Sequence, residues 1–519
     1  MTVTKTKTVT PGSDVTWSVS ATGFDTQSGT INDITASQTL DVYLLGSYGT
    51  IDKVVKDVQA INYGYTTWML LTDGTLWGCG YNAGGQQGSG NTSNVTSFTQ
   101  RLTGVKQISV SGDTTWALKT DGTLWGCGYG NYGQQGSGNT TDVTTFTQRL
   151  TGVKNVFCSN NTTWALKTDG TLWGTGWNIY GQQGSGTSGS GTNVTSFTQR
   201  LTDVAQVSCS LGSTWALKTD GTVWGCGDND YGQQGSGDTN AVTTFTQRLT
   251  DVGQISASAN TTWALKTDGT LWGCGRNNSG QQGSGDTTDV TTFTQRLTDV
   301  AQISVSGETT WALKTDGTVW GCGYNYHGQQ GNETSGSSTK VLTFTQRLSD
   351  VSEINACEDT TWALKTDGTL WGCGYGNYGQ QGSGGTTDVT TFTQRLTDVK
   401  QFNACRETTW ALKTDGTVWG CGYGNYGQQG NGGSGNTNKV TSFTKRNPSV
   451  TGYNSATLTI VPTPSDAIVT INTVVTSSAD IRKGTEAAWS VSKTGYVTQS
   501  GSIAHIYDDT TLEITLESE

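Results

Sequence analysis

Apolar and polar residues alternate along most of the chain in short runs broken by glycine, asparagine and aspartate, and the runs recur in a fixed order. In the second copy, residues 105–110 form an apolar-polar run, and residues 115–120 place Trp116 and Leu118 on one face. Asp121-Gly122 follows, then residues 124–128 and, after a glycine-rich loop, residues 143–150. Runs with a period of two predict half-buried strands. Asp-Gly between two such runs predicts a hairpin, of type I′ with positive φ at both central residues. The unit therefore reads as four short strands.

Tryptophan sets the spacing of the units. Trp68, Trp116, Trp164, Trp215, Trp263, Trp311, Trp362 and Trp410 stand 48, 48, 51, 48, 48, 51 and 48 residues apart, in eight near-copies of TTWALKTDGTLWGCG followed by GQQG and FTQR. A unit this short cannot bury its own apolar face, so the copies must stack. Four strands per unit predict an all-β chain built as a β-propeller of eight four-stranded blades, with seven blades and a displaced unit as the alternative. Residues 50–58 align with the TTFTQRLTD that precedes later blades, so the fourth-strand signal occurs nine times and the hairpin eight. The spare copy is expected to overlap or replace its counterpart at the seam, which would remove open edges.

The flanks are related to each other. Residues 17–31 read WSVSATGFDTQSGTI and residues 489–503 read WSVSKTGYVTQSGSI, each followed by a final alternating strand. The second copy has an extra leading segment, residues 467–472, that the first begins too late to own. The expected domains are a partial N-terminal β-sandwich module (1–46), the repeat propeller (47–450) and a C-terminal β-sandwich module (451–519). The vacancy in the first module is expected to be filled by another chain or by the second module.

The ordered residue set of the repeats, with its Asp-Gly hairpin, Gly-x-Asn step and Gly-Gln-x-Gly corner, resembles the repeats of the regulator of chromosome condensation family, over residues 48–448. That resemblance implies a propeller, commonly of seven blades, in a family that includes an inhibitor of a β-lactamase. Cys127 and its equivalents stand where the family commonly has tryptophan, and Trp116 and its equivalents where it commonly has histidine. The nucleotide-exchange activity of its best-known member would need a protruding insertion, and the blades differ by no more than three residues in length. The flanks resemble small immunoglobulin-like or PEGA-like modules of bacterial and phage surface proteins.

Composition narrows the chemistry. The net charge of −11 argues against binding nucleic acid through its phosphates. No stretch is long and apolar enough for a membrane span, and the first ten residues lack an apolar signal core. With His327 and His505 alone, in different domains, no histidine triad or multi-histidine metal site can be assembled, and neither catalysis nor a cofactor is expected. Seven of the eleven cysteines share one hairpin position, with Thr175 in the third unit, and read as reduced core residues. Cys158, Cys209, Cys357 and Cys405 fall in a varying segment and read as loop thiols. Lys119, Lys167, Lys218, Lys266, Lys314, Lys365 and Lys413 read as stems along the blades with their heads in water.

Substitution among the eight units concentrates in two segments. One precedes the block tryptophan; the other, between CG and GQQG, holds 11 of the 18 tyrosines plus Trp177. Variable aromatic loops on a rigid frame have the composition of a binding surface. The contact candidates are Tyr129, Tyr132, Trp177, Tyr180, Asp228, Asp230, Arg276, Tyr324, Tyr326, His327, Tyr375, Tyr378, Tyr423 and Tyr426. Asn160, Leu211, Glu308, Glu358 and Arg406 of the other segment are secondary candidates. Such a chain looks like a bacteriophage virion protein, a tail or capsid appendage. It is expected to bind host-surface glycan or protein through the propeller, and other virion proteins, or a second copy, through the terminal modules. A bacterial surface adhesin, a propeller-type inhibitor and a purely architectural decoration protein are the alternatives.

Overall fold

The computed structural model describes residues 65–159 and 161–446 in full, and outside that span strands and their immediate ends. The chain divides into two compact units, residues 54–448 and residues 1–53 with 449–519. The larger is a ring of eight four-stranded antiparallel blades, each with its strands in chain order. In the second blade these are Val105–Ser111, Thr114–Lys119, Leu124–Gly128 and Val143–Leu150. Eight blades, not seven, close the ring.

Burial falls outward along each blade. The second strand is buried almost throughout, whereas the fourth alternates between half-buried and exposed positions. First strands of neighbouring blades lie side by side around the axis. Their serines tie neighbouring blades: the Ala257, Ala356 and Glu358 amides donate to the Ser208, Ser304 and Ser306 hydroxyls at 2.9, 2.8 and 2.7 Å.

The core lies between blades rather than within them. Trp116, Leu118 and Leu124 of the second blade pack on Val153, Val156 and Ala165 of the third. All eight block tryptophans are fully buried. Each meets, edge to face, the phenylalanine of the next blade's fourth strand, as Trp116 meets Phe197 at 5.7 Å between centroids. Glycine makes room on both sides. A Cβ at Gly126, the cross-strand partner of Trp116, would stand 2.6 Å from the indole, and one at Gly136, with φ +58°, would stand 2.5 Å from the Phe197 ring.

The ring closes by the same contact. Phe98 of the first blade meets Trp410 of the eighth at 6.0 Å, Ser97 bridges Asn431, and the Cys79 thiol donates to the Gln428 carbonyl at 3.5 Å. Met69 and Leu71 stand at this seam where other blades have alanine and lysine, and both are buried. The expected spare fourth strand is not used there. Residues 51–52 pair instead with 449–450 in the other unit, and Val55–Ala60 is the first strand of the first blade. Side chains crossing the interface join first and last blades as they join any other two, so strand exchange is unnecessary.

The Asp-Gly hairpin also differs from expectation. Gly122 has φ +80°, but Asp121 has no positive φ. The turn runs from the Lys119 carbonyl to the Gly122 amide, with the glycine as a bulge residue. The Asp121 carboxylate accepts the Thr123 amide and hydroxyl at 2.8 and 2.7 Å, and the Trp125 indole N–H donates to that hydroxyl at 2.9 Å. These bonds hold Asp121 below the usual carboxylate range. The Lys119 ammonium stands 4.4 Å from the Trp125 ring centroid, and six other blades repeat the pair. The lysine heads are therefore held over indoles, not free in water as expected.

In the smaller unit the two flanking copies share one register. Trp17 pairs with Gly29 and Trp489 with Gly501 in hairpins Ser13–Val19/Gln27–Ile34 and Ala487–Ser492/Gln499–Ile503. Ile468–Ile471 adds a strand to the second hairpin. Among the described residues the first hairpin has no such neighbour.

All eleven cysteines are unpaired. The repeated hairpin thiols donate across blades, as Cys127 does to the Gln86 carbonyl at 3.3 Å, and Thr175 does the same to Gly133 at 2.9 Å. Burial pushes these thiols well above their ordinary range. Cys357 and Cys405 are buried rather than loop thiols, in the apolar cluster that holds Met69, Leu71 and Trp410. Two outcomes are expected. Gly136→Ala loses about 2 kcal/mol or more of stability, measured by urea unfolding, because it adds strain at positive φ to a clash with Phe197. The seven hairpin thiols resist a thiol-reactive dye in the native protein and react when it is unfolded.

Candidate functional site

The two variable segments lie on one face. In every blade the residue before Thr-Thr-Trp, or Ser-Thr-Trp in the fourth blade, accepts on its carbonyl the amide of the first residue of the second segment. The Tyr129 amide donates to Asp113 at 2.8 Å, Tyr324 to Glu308 at 2.9 Å and Tyr423 to Glu407 at 2.8 Å. The Asp-Gly turns and the connections between blades meet at the opposite ends of the strands, where the Val153 amide donates to the Gly122 carbonyl at 3.0 Å. One face is thus variable and the other nearly invariant. Chain entry at Val55, paired with Leu71, and exit at Arg446, whose amide donates to Val418, both fall on the invariant face.

The variable face carries aromatic arcs that cross blade boundaries. In one, Tyr324 stacks on Tyr326 at 6.2 Å, and the row continues through His327 at 4.8 Å, Tyr375 at 4.5 Å, Tyr378 at 5.7 Å and Tyr423 at 4.7 Å. Tyr423 meets Tyr426 at 6.4 Å, and Tyr426 crosses the seam to Tyr65 and Tyr81 at 4.7 and 5.0 Å. A second arc joins Tyr129, Tyr132, Trp177 and Tyr180 at 6.2, 5.7 and 5.6 Å. Arg276 lies over Tyr231 at 5.0 Å and pairs with Glu308 at 3.4 Å. Tyr180 and Tyr326 are exposed.

The expected residues divide accordingly. All the aromatic candidates enter the two arcs. Asp228 and Asp230 do not; the Asp228 carboxylate instead accepts the Asp230 amide at 3.1 Å, and burial raises it. Arg276 and Arg406 are held by Glu308 and Glu358, and His327 by Asp388 at 2.8 Å. Leu211 is exposed, and Asn160 lies outside the described residues. Tyr65, Tyr81, Tyr231 and Glu407 were missed by sequence reasoning. Tyr231 occupies the same unit position as Tyr132, a signal available in the repeat itself.

Within the ring, the first segments of the second to eighth blades line a cavity of about 960 Å³, among them Ser111, Cys209, Ser306, Glu358 and Cys405. Burial pushes the Cys209 thiol of this wall up to about 12 and Cys405 up to about 11, away from the thiolate form. Among the described residues no group of three or more His, Cys, Asp or Glu is placed to hold a metal ion.

One acid departs from this frame. Burial, helped by Glu358 and opposed by Arg406, raises the Glu407 carboxyl to about 7. Its charge reaches Tyr65, which burial and Glu407 push up to about 12, and also Tyr378 and Tyr423.

Comparison with known proteins agrees with this architecture. The Regulator of chromosome condensation (RCC1) repeat matches residues 105–134, 153–182, 204–233, 253–281 and 300–329. Those stretches fall in the second to sixth blades of the ring. Two solved structures are similar in fold. Human WBSCR16 is 20% identical with a TM-score of 0.52, over 64% of this chain and 96% of that one. Prp20p from Saccharomyces cerevisiae is 19% identical with a TM-score of 0.51, over 65% and 90%. Outside the ring, residues 455–515 match the Head fiber dimeric protein-like domain. Sixty residues are 55% identical to the Head fiber dimeric protein of Bacteroides phage crAss001, covering 12% of this chain and 48% of that relative. The chain thus spans about half the length of the curated relative it matches.

The raised Glu407 has a thermodynamic signature. Between the ordinary carboxylate range and about pH 7 the folded chain holds a proton that the unfolded chain releases, so this group's contribution to stability falls as pH rises through that window. Glu407→Gln is expected to melt higher than the parent above pH 7 and to match it below the ordinary carboxylate range. Partial exposure keeps the difference to a few degrees at most; thermal melts across pH measure it.

Proposed function

We propose that the protein is a non-catalytic bacteriophage virion appendage whose propeller recognises host cell-surface glycan or protein and whose flanking modules attach it to other virion proteins or to a second copy. The observation that carries the recognition reading is the aromatic surface on one face of the ring. Drift on a wet loop favours small and polar residues, whereas these loops hold tyrosine, tryptophan and histidine in contact across blades. The chain enters and leaves the ring on the opposite face, which leaves the aromatic face free of covalent connections. The virion assignment draws support from the phage head fiber relative of the C-terminal residues. The hairpin of Trp17, which among the described residues has no counterpart of the strand Ile468–Ile471, offers an edge for attachment.

The test compares binding to a panel of bacterial cells and surface glycans by the intact protein and by a variant with Tyr324, Tyr326, Tyr375 and Tyr378 changed to alanine. The intact protein is expected to bind and the variant to lose most of that binding while keeping its melting temperature within a few degrees. No binding by the intact protein, with normal incorporation into particles, would support a purely architectural role. A chain starting at residue 47 is expected to assemble poorly; unchanged assembly would remove the role given to the Trp17 hairpin.

A further inference from the structure

Four blades place an acid immediately before Thr-Thr-Trp: Asp113, Glu308, Asp359 and Glu407. At three interfaces the first glutamine of the preceding blade's GQQG reaches across to that position, as Gln134 does to Asn161 at 3.3 Å. Gln86 donates to Asp113 at 2.7 Å and Gln329 to Asp359 at 3.3 Å, while Glu308 accepts from the Ser279 hydroxyl at 2.7 Å and pairs with Arg276. At Glu407 the glutamine turns elsewhere. Gln380, which would serve it, donates to the Arg406 carbonyl at 3.0 Å, and one buried carboxylate oxygen of Glu407, Oε2, has no hydrogen-bond partner. A buried carboxylate oxygen without a partner is costly unless something satisfies it.

The surroundings indicate what would. Tyr65, Tyr378, Tyr423 and Tyr426 gather here from three blades, with Tyr65 4.7 Å from Tyr426 and Tyr378 4.7 Å from Tyr423. Tyr65 is held at φ +47°, a strained conformation for a bulky residue and one that recurs at ligand sites. All four tyrosines are half-buried, so the cluster opens to solvent. Several aromatic rings beside one carboxylate suit an organic ammonium group, which draws on both the ring quadrupoles and the charge. A bare divalent metal would need more oxygen ligands than one carboxylate supplies.

We propose that Glu407 and the four tyrosines form a subsite for an organic ammonium group carried on a cell-surface glycan, such as a free amino group on a sugar. This rests on the recognition reading and gives it a ligand class. A glycan fits better than a lysine side chain. From Tyr378 the row of rings continues through Tyr375, His327 and Tyr326 to Tyr324 at 4.5–6.2 Å intervals, a track on which successive sugars stack.

The test titrates the full chain and Glu407→Gln, by calorimetry near neutral pH, with glucosamine oligosaccharide, its N-acetylated counterpart and a lysine-rich peptide. The parent is expected to bind the free amine about tenfold more tightly than the acetylated form, the scale of a desolvated cation–π contact with its carboxylate. Glu407→Gln is expected to erase that preference while retaining its fold by circular dichroism. Equal affinity for the two oligosaccharides, no binding to either, or a preference that survives in Glu407→Gln overturns the proposal. Equal or tighter binding of the peptide overturns the glycan assignment. If cell binding still depends on the four tyrosines of the alanine variant, recognition stands and only the ammonium subsite falls; if the intact protein also binds no cell, both fall.

Discussion

The edge-to-face contact between a tryptophan of one blade and a phenylalanine of the next supports everything else in the ring. It occurs at all eight interfaces, the seam included, with centroids 5.7–6.0 Å apart. Such pairs contribute about 0.5–1.5 kcal/mol beyond the area they bury, and here they also set blade spacing. Both rings need glycine beneath them. That requirement explains why the WGCG and GQQG blocks scarcely vary between units: any side chain there would meet an aromatic ring well inside contact distance. The frame is repeated because its contact is repeated.

A frame fixed in this way separates two kinds of surface. The Asp-Gly turns are bound up in their own threonine, tryptophan and lysine contacts, so the face they form is uniform around the ring. The opposite loops are anchored by backbone bonds and glutamine side chains, which impose no identity on the outward side chains. Aromatic residues accumulated there, and because the last position of one loop touches the first position of the next, they join into arcs. The arcs are therefore a consequence of blade spacing as much as of loop composition.

Glu407 shows how a small change of frame produces a local peculiarity. Redirecting Gln380 to a backbone carbonyl leaves a carboxylate oxygen unserved among tyrosines and raises the group toward neutrality. Strain at Tyr65 and an unpartnered carboxylate oxygen meet in one place. Natural proteins tolerate such exceptions mainly where function requires them.

The sequence by itself determined the number of repeat units, the order of strands in each and the apolar face that carries the block tryptophans, because period-two alternation and a fixed repeat are properties of local covalent geometry; that all eight units enter the ring was decided by tertiary structure. It also showed the loops in which Tyr324, Tyr375 and Tyr423 stand. It could not show that one loop meets the next, as His327 meets Tyr375 and Tyr378 meets Tyr423, since these residues belong to different units and come together only when blades are set side by side. Tertiary structure alone decided that both variable segments share a face, that Tyr65 and Glu407 join across the seam, and that the seam needs no exchanged strand. Those outcomes depend on contacts between blades, and a repeat read one unit at a time contains no record of its neighbours.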